Sequence, residues 1–129
     1  MAAKLLFIFF GGGIGACLRY LVTIALQKQD AKAFPYGTLA ANVIGCALIG
    51  AVMAWLAAHD KVKPEIQYAI TVGLLGGFTT FSSFAYESMR LANAGEWSKA
   101  IVYVALSNGI GIGAAAGMYF LTLRVIGRA

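Results

Sequence analysis

The residues best placed for chemistry are Asn42, Thr38, Asn108, the pair Arg19 and Glu87, and the run Gly76-Gly77-Phe78-Thr79-Thr80-Phe81-Ser82-Ser83-Phe84. They are amides, hydroxyls, aromatic rings and isolated charges set in apolar segments. The only histidine, His59, stands between two such segments and reads as a solvated loop residue. The sequence offers no Ser/His/Asp set, no CxxC and no pair of carboxylates inside a segment, so no catalytic residue is expected. Groups of this kind replace water around an ion without reacting with it. The expected chemistry is ion handling.

The central run lies inside an apolar segment from about Ile66 to Met89. Glycine weakens a helix, and Thr and Ser offer the backbone alternative hydrogen bonds. A helix interrupted at the midpoint of a membrane is therefore expected. Irregular backbone at that depth is tolerated only where protein buries it or water lines it. Broken helices of this kind expose carbonyls to cations and N–H groups to anions. Beyond the interruption, Thr80, Ser83 and Glu87 fall on one helical face and Phe81 and Phe84 on its neighbour. The electropositive edges of phenyl rings can face an anion without trapping it. Packing is the ordinary use of such rings, and both readings stand. Glu87 reads as a solvated helix end or as a group at a pore mouth.

Four segments must position these residues. The chain of 129 residues is 60% hydrophobic and 12% charged, with a mean hydropathy of +0.79. Soluble domains carry about 25% charged residues, so the solvent here is lipid. The expectation is a single all-α membrane domain, residues 1–129, with spans at about 5–26, 38–58, 66–89 and 97–125. Each is long enough for the roughly 20 residues that a bilayer requires. The net charge of +5 is scattered over segment ends, which argues against a nucleic-acid partner. Cys17 and Cys46 read as small packing residues.

The first span contains Gly11-Gly12-Gly13-Ile14-Gly15-Ala16, which admits close backbone approach, and then Arg19. A cation at a helix centre costs about 2.5 kcal/mol or more. Arg19 either reaches the interface or faces a wet vestibule and attracts anions. In the second span Thr38, Asn42 and Gly45 share a face. Asn42 is either an interhelical clasp or a donor on an ion path. In the fourth, Ser107 and Asn108 are followed by Gly109, Gly113 and Gly117, two overlapping GxxxG patterns that signal packing.

Four spans put both termini on one side. Lys4, Lys61, Lys63, Arg124 and Arg128 lie with them, and Lys28, Lys32, Arg90 and Lys99 lie opposite, joined by Arg19 if it reaches that way. Five against four or five leaves the positive-inside rule with almost no preference. Such a chain can insert in both orientations. Paired, they form an antiparallel homodimer with the two third-span interruptions near its axis.

Gly11-Gly12-x-x-Gly15-Ala16-x-x-Arg19-Tyr20, Gly37-Thr38-Leu39-x-x-Asn42-x-x-Gly45 and the run from Gly76 to Phe84 resemble the signatures of the Fluc (CrcB) fluoride channels, in order and over the whole chain. The resemblance implies a dual-topology antiparallel dimer in the bacterial inner membrane. It implies two pores that pass fluoride passively out of the cytoplasm. It also implies a structural sodium ion held by the backbone carbonyls of Gly76 and Thr79 from both subunits. Phe81, Phe84 and Asn42 match pore residues, and Thr38, Ser82 and Ser83 fall at polar pore positions. Glu87 matches an acidic residue near a pore end. Asn108 stands where relatives carry Ser or His, and Ile112 where some carry Ser, so Ser107 or Asn108 is expected to supply the polar track in the fourth span.

Two other functions are compatible with four spans. A small multidrug-type exporter needs an ionisable carboxylate in an early span, and the first two spans have none. A non-transporting scaffold subunit accounts for the glycine patterns but not for Asn42 or the interrupted run.

Overall fold

The computed structural model describes residues 1–28, 30–59 and 61–127. Of the residues weighed above, Arg128 in the charge balance lies outside them. Four long helical spans make up the chain. They are α1 (Ala2–Leu26), α2 (Tyr36–Ala57), the composite third span (Pro64–Asn93) and α6 (Trp97–Ile126). All four are long and apolar enough to cross a membrane, and the protein is an integral, multi-pass membrane protein. Large apolar side chains such as Phe9, Ile101 and Phe120 are exposed, as a lipid-facing surface requires.

The third span has several parts. A short helix, α3 (Pro64–Tyr68), passes into a π-helical stretch, Ala69–Leu75, and a last turn, α4 (Gly76–Phe78). The chain is then extended at Thr79 (φ −89°, ψ 156°) and Thr80 (φ −150°, ψ 114°) before α5 (Phe81–Asn93). The interruption therefore falls two residues beyond the glycine pair, and Gly76 and Gly77 are still helical.

Those glycines serve packing. A Cβ on Gly77 would sit against the Gly12 backbone, and one on Gly15 would collide with the Leu74 carbonyl. Gly11 and Gly73 meet in the same way, so α1 and the first half of the third span lie backbone to backbone. The extended residues owe their geometry to side chains. Thr80 Oγ1 accepts from Ser83 N–H at 3.2 Å and so caps α5.

The other principal pairing is α2 with α6, where Gly50 lies against Ala115. Leu91, Ala100 and Tyr103 form a small buried core with Phe34, Leu39 and Phe84 packed on it. Gly109, Gly113 and Gly117 find no packing partner within the protomer, because among the described residues nothing beyond their own helix lies within 4 Å of their Cβ positions. The face of α6 that meets α2 carries Gly111 instead, beside Cys46.

Candidate functional site

Asn42 reaches from α2 to the break. Its Nδ2 donates to the Thr80 carbonyl at 3.1 Å, and its Oδ1 accepts from the Thr80 N–H at 2.7 Å. The pair mimics a strand–strand contact and fixes the amide's orientation, since the reverse would set donor against donor. The Thr80 N–H, which the break releases, is thereby satisfied in a place where it would otherwise be costly, and the Thr80 carbonyl, the N-cap acceptor of α5, gains a second donor. An amide has a second N–H on Nδ2. Clasp and donor are therefore compatible roles for one side chain.

Arg19 reaches the break from α1. Its Nε donates to the Gly77 carbonyl at 3.1 Å. The side chain thus turns inward to the protein and ties the end of α4 to the first span.

Two grooves flank the break, and Thr80 lines both. The larger, about 340 Å³, is lined by Phe81, Phe84, Asn42, Asn108, Gly76 and Thr79, with Ser107, Thr71 and Cys46 on its walls. The rings of Phe81 and Phe84 lie 5.5 Å apart. Phe81 is 78% exposed, whereas Phe84 is seated on Tyr103 at 5.3 Å. Asn108 donates back to the Val104 carbonyl of its own helix at 2.8 Å. Ser107 Oγ is buried with no partner among the described residues. Ile112 is 70% exposed and does not line this groove, which leaves Ser107 and Asn108 as the polar groups of α6 here.

The smaller groove, about 210 Å³, is lined by Arg19, Thr38, Ser83 and Glu87, with Tyr20 and Thr23 beside them. Glu87 is neither a free helix end nor an open charge. Thr38 Oγ1 donates to one carboxylate oxygen and Tyr103 Oη to the other, each at 2.8 Å. Ser82 lines neither groove, and its hydroxyl lies 3.2 Å from that of Thr80. The division expected from helical spacing is thus present, with Phe81 and Phe84 on one side of α5 and Ser83 and Glu87 on the other.

Tyr103 escaped the sequence reading. A tyrosine early in an apolar span looks like an interfacial anchor, yet it is fully buried and holds Glu87. The available signal was Glu87 itself, since a carboxylate in a span needs donors.

The break also leaves some carbonyls without their helical donors. In an unbroken helix each N–H closes on the carbonyl four residues earlier. The Thr80 N–H is held by Asn42 and the Ser83 N–H by Thr80 Oγ1, so the carbonyls of Gly76 and Thr79 lose their helical partners. Both residues line the larger groove. Neutral carbonyl oxygens suit a hard monovalent cation. Among the described residues no cluster of His, Cys, Asp or Glu could hold a metal ion.

The family described as CrcB-like protein, Camphor Resistance (CrcB), matches residues 6–118. The chain is similar to the fluoride-specific ion channel FluC of Phocaeicola vulgatus, 44% identical over 109 residues, covering 84% of this chain and 89% of that protein. It is similar to the same-named protein of Shewanella woodyi, 45% identical over 104 residues, covering 81% and 83%. A third, from Acidobacterium capsulatum, is 41% identical over 109 residues, covering 84% and 87%. With its four spans, its broken third helix and this extent of match, the chain belongs to the CrcB-like family.

Proposed function

We propose that this protein is a fluoride-selective passive channel that lets fluoride leave the cytoplasm of a bacterial cell, working as an antiparallel homodimer with two pores. One observation carries the reading. The third span opens at Thr79–Thr80 beside a groove where amide, hydroxyl and phenyl groups converge without a full cationic charge. The names of its relatives supply the ion. Fluoride is small and strongly hydrated, so a narrow path must offer donors in place of water. The second N–H of Asn42, the hydroxyls of Ser82 and Ser83, the Asn108 amide and the ring edges of Phe81 and Phe84 are such groups, while Thr38, whose one hydroxyl proton goes to Glu87, serves the path by holding that carboxylate. Arg19 adds positive potential beside the break, where the Gly77 carbonyl holds it, and Glu87 lines the same smaller groove with its charge engaged by Thr38 and Tyr103. Conduction requires that the ion also leave, and several weak stations serve that better than one strong site.

The structural cation of this reading is sodium; the carbonyls of Gly76 and Thr79 would hold it, and it would supply a fixed positive charge there. The chain's own residues hold those carbonyls outside the helical ladder. A multidrug-type exporter or an inert scaffold would have no use for this convergence of neutral donors.

The test is efflux from liposomes holding the purified protein, with potassium and valinomycin balancing charge. Fast loss of fluoride with chloride retained is the expected outcome. Loss of both ions would remove the selectivity, and loss of neither from folded protein would overturn the proposal.

A further inference from the structure

The break releases several carbonyls, yet side chains from other helices take up some and leave the rest. Of the carbonyls of residues 76–79, that of Gly77 is occupied by Arg19 Nε at 3.1 Å, and Phe78 does not line the larger groove. The Thr80 N–H, whose helical acceptor would be the Gly76 carbonyl, is drawn away by Asn42 Oδ1 at 2.7 Å. Gly76 and Thr79 are the residues of this set whose carbonyls are deprived of an N–H and which line the larger groove. The selection is made by subtraction, and α1 and α2 perform it.

We infer that Asn42 and Arg19 are positioning residues for cation binding. Asn42 keeps the Gly76 carbonyl available by competing for its natural donor, and Arg19 keeps the Gly77 carbonyl out of the ligand set. This inference rests on the sodium reading given above. Without Asn42, Thr79 and Thr80 need only turn to helical angles for the Thr80 N–H to close on Gly76. The helix would then heal across its break, and a ligand would be lost without any change in the ligand residues themselves. A residue that only lined the anion path would have no such effect.

The experiment is a sodium titration of the melting temperature of purified protein, at constant ionic strength, beside the efflux assay. Ligand that binds the folded state stabilises it by RT ln(1 + [L]/Kd), so the melting point begins to climb near Kd and then rises with the logarithm of concentration; fitting that curve gives the half-point, the sodium concentration of half occupancy. For the wild type a sodium-dependent rise is expected. Asn42→Ala should move the half-point up by about 10-fold or more, the usual effect of losing a group that orients a metal ligand. Asn42→Asp keeps an acceptor for the Thr80 N–H, so it should keep the wild-type half-point while its flux is abolished by the added negative charge. If Asn42→Ala keeps the wild-type half-point, or if Ala and Asp shift it equally, the inference is overturned while the sodium reading stands. If the wild type shows no sodium response, the sodium reading fails and takes this inference with it. Should Asn42→Ala not fold, Arg19→Met decides: a side chain of similar length with no donor releases the Gly77 carbonyl and should lower the preference for sodium over potassium, and an unchanged preference overturns the inference.

Discussion

At the scale of single residues, the two phenylalanines of α5 are alike in sequence and unlike in setting. Phe81 is 78% exposed, and Phe84 is packed on Tyr103. Phe81→Ile should therefore cut fluoride efflux while leaving stability unchanged. Phe84→Ile should cut efflux and also lower stability by about 1 kcal/mol, the worth of an aromatic pair. Efflux and melting measured on both variants check this, and normal conduction by both would remove the rings from the path. The same scale shows what the sequence could carry. Asn42 announced itself because an amide in an apolar helix must find partners. Its partner did not, since the extended backbone of Thr80 belongs to another helix. Arg19 was legible as an anomaly for the same reason, and the Gly77 carbonyl was not.

Among the elements, the spans were legible to within a few residues, because apolar length alone decides them. The break was legible in kind but displaced. Glycines mark weak helix, yet Gly76 and Gly77 stay helical because α1 packs on them, and the chain yields where Thr80 and Asn42 offer other bonds. Gly15→Ala or Gly77→Ala should thus act as overpacking, costing about 1–3 kcal/mol in stability. Gly109→Ala meets no atom of its own chain and should leave the protomer's fold intact. Melting of the three variants, with chain association followed in parallel, separates the two glycine sets. Equal effects at Gly15, Gly77 and Gly109 would contradict the packing described here. The GxxxG patterns of α6 named no partner, since spacing says that small residues line up but not which helix they face.

For the whole molecule, the balanced placement of basic residues matters more than their number. Nearly equal lysine and arginine counts at the two ends give the proposed antiparallel pairing its supply of both orientations. Lysines added to the loop between α1 and α2 should drive most chains into one orientation and remove most of the flux. Coexpression with a chain carrying extra lysines at the opposite end should restore it. Full flux from the first variant alone would argue against antiparallel pairing. The uncovered row Gly109, Gly113 and Gly117 is consistent with a chain whose packing is incomplete alone. Nothing in one sequence states the geometry of such a pair, because that depends on contacts between copies.

The π-helical stretch Ala69–Leu75 sets the third span one residue out of step with itself. An α-helix turns about 100° per residue, so removing a single residue there would rotate everything beyond it by that angle. Gly77 would leave Gly12, and Thr80 would swing away from Asn42. The segment acts like a vernier, its two scales offset by one division so that marks coincide at one place only. Its length is therefore a counted quantity. A one-residue gap between positions 69 and 75 would do more damage than most substitutions within it.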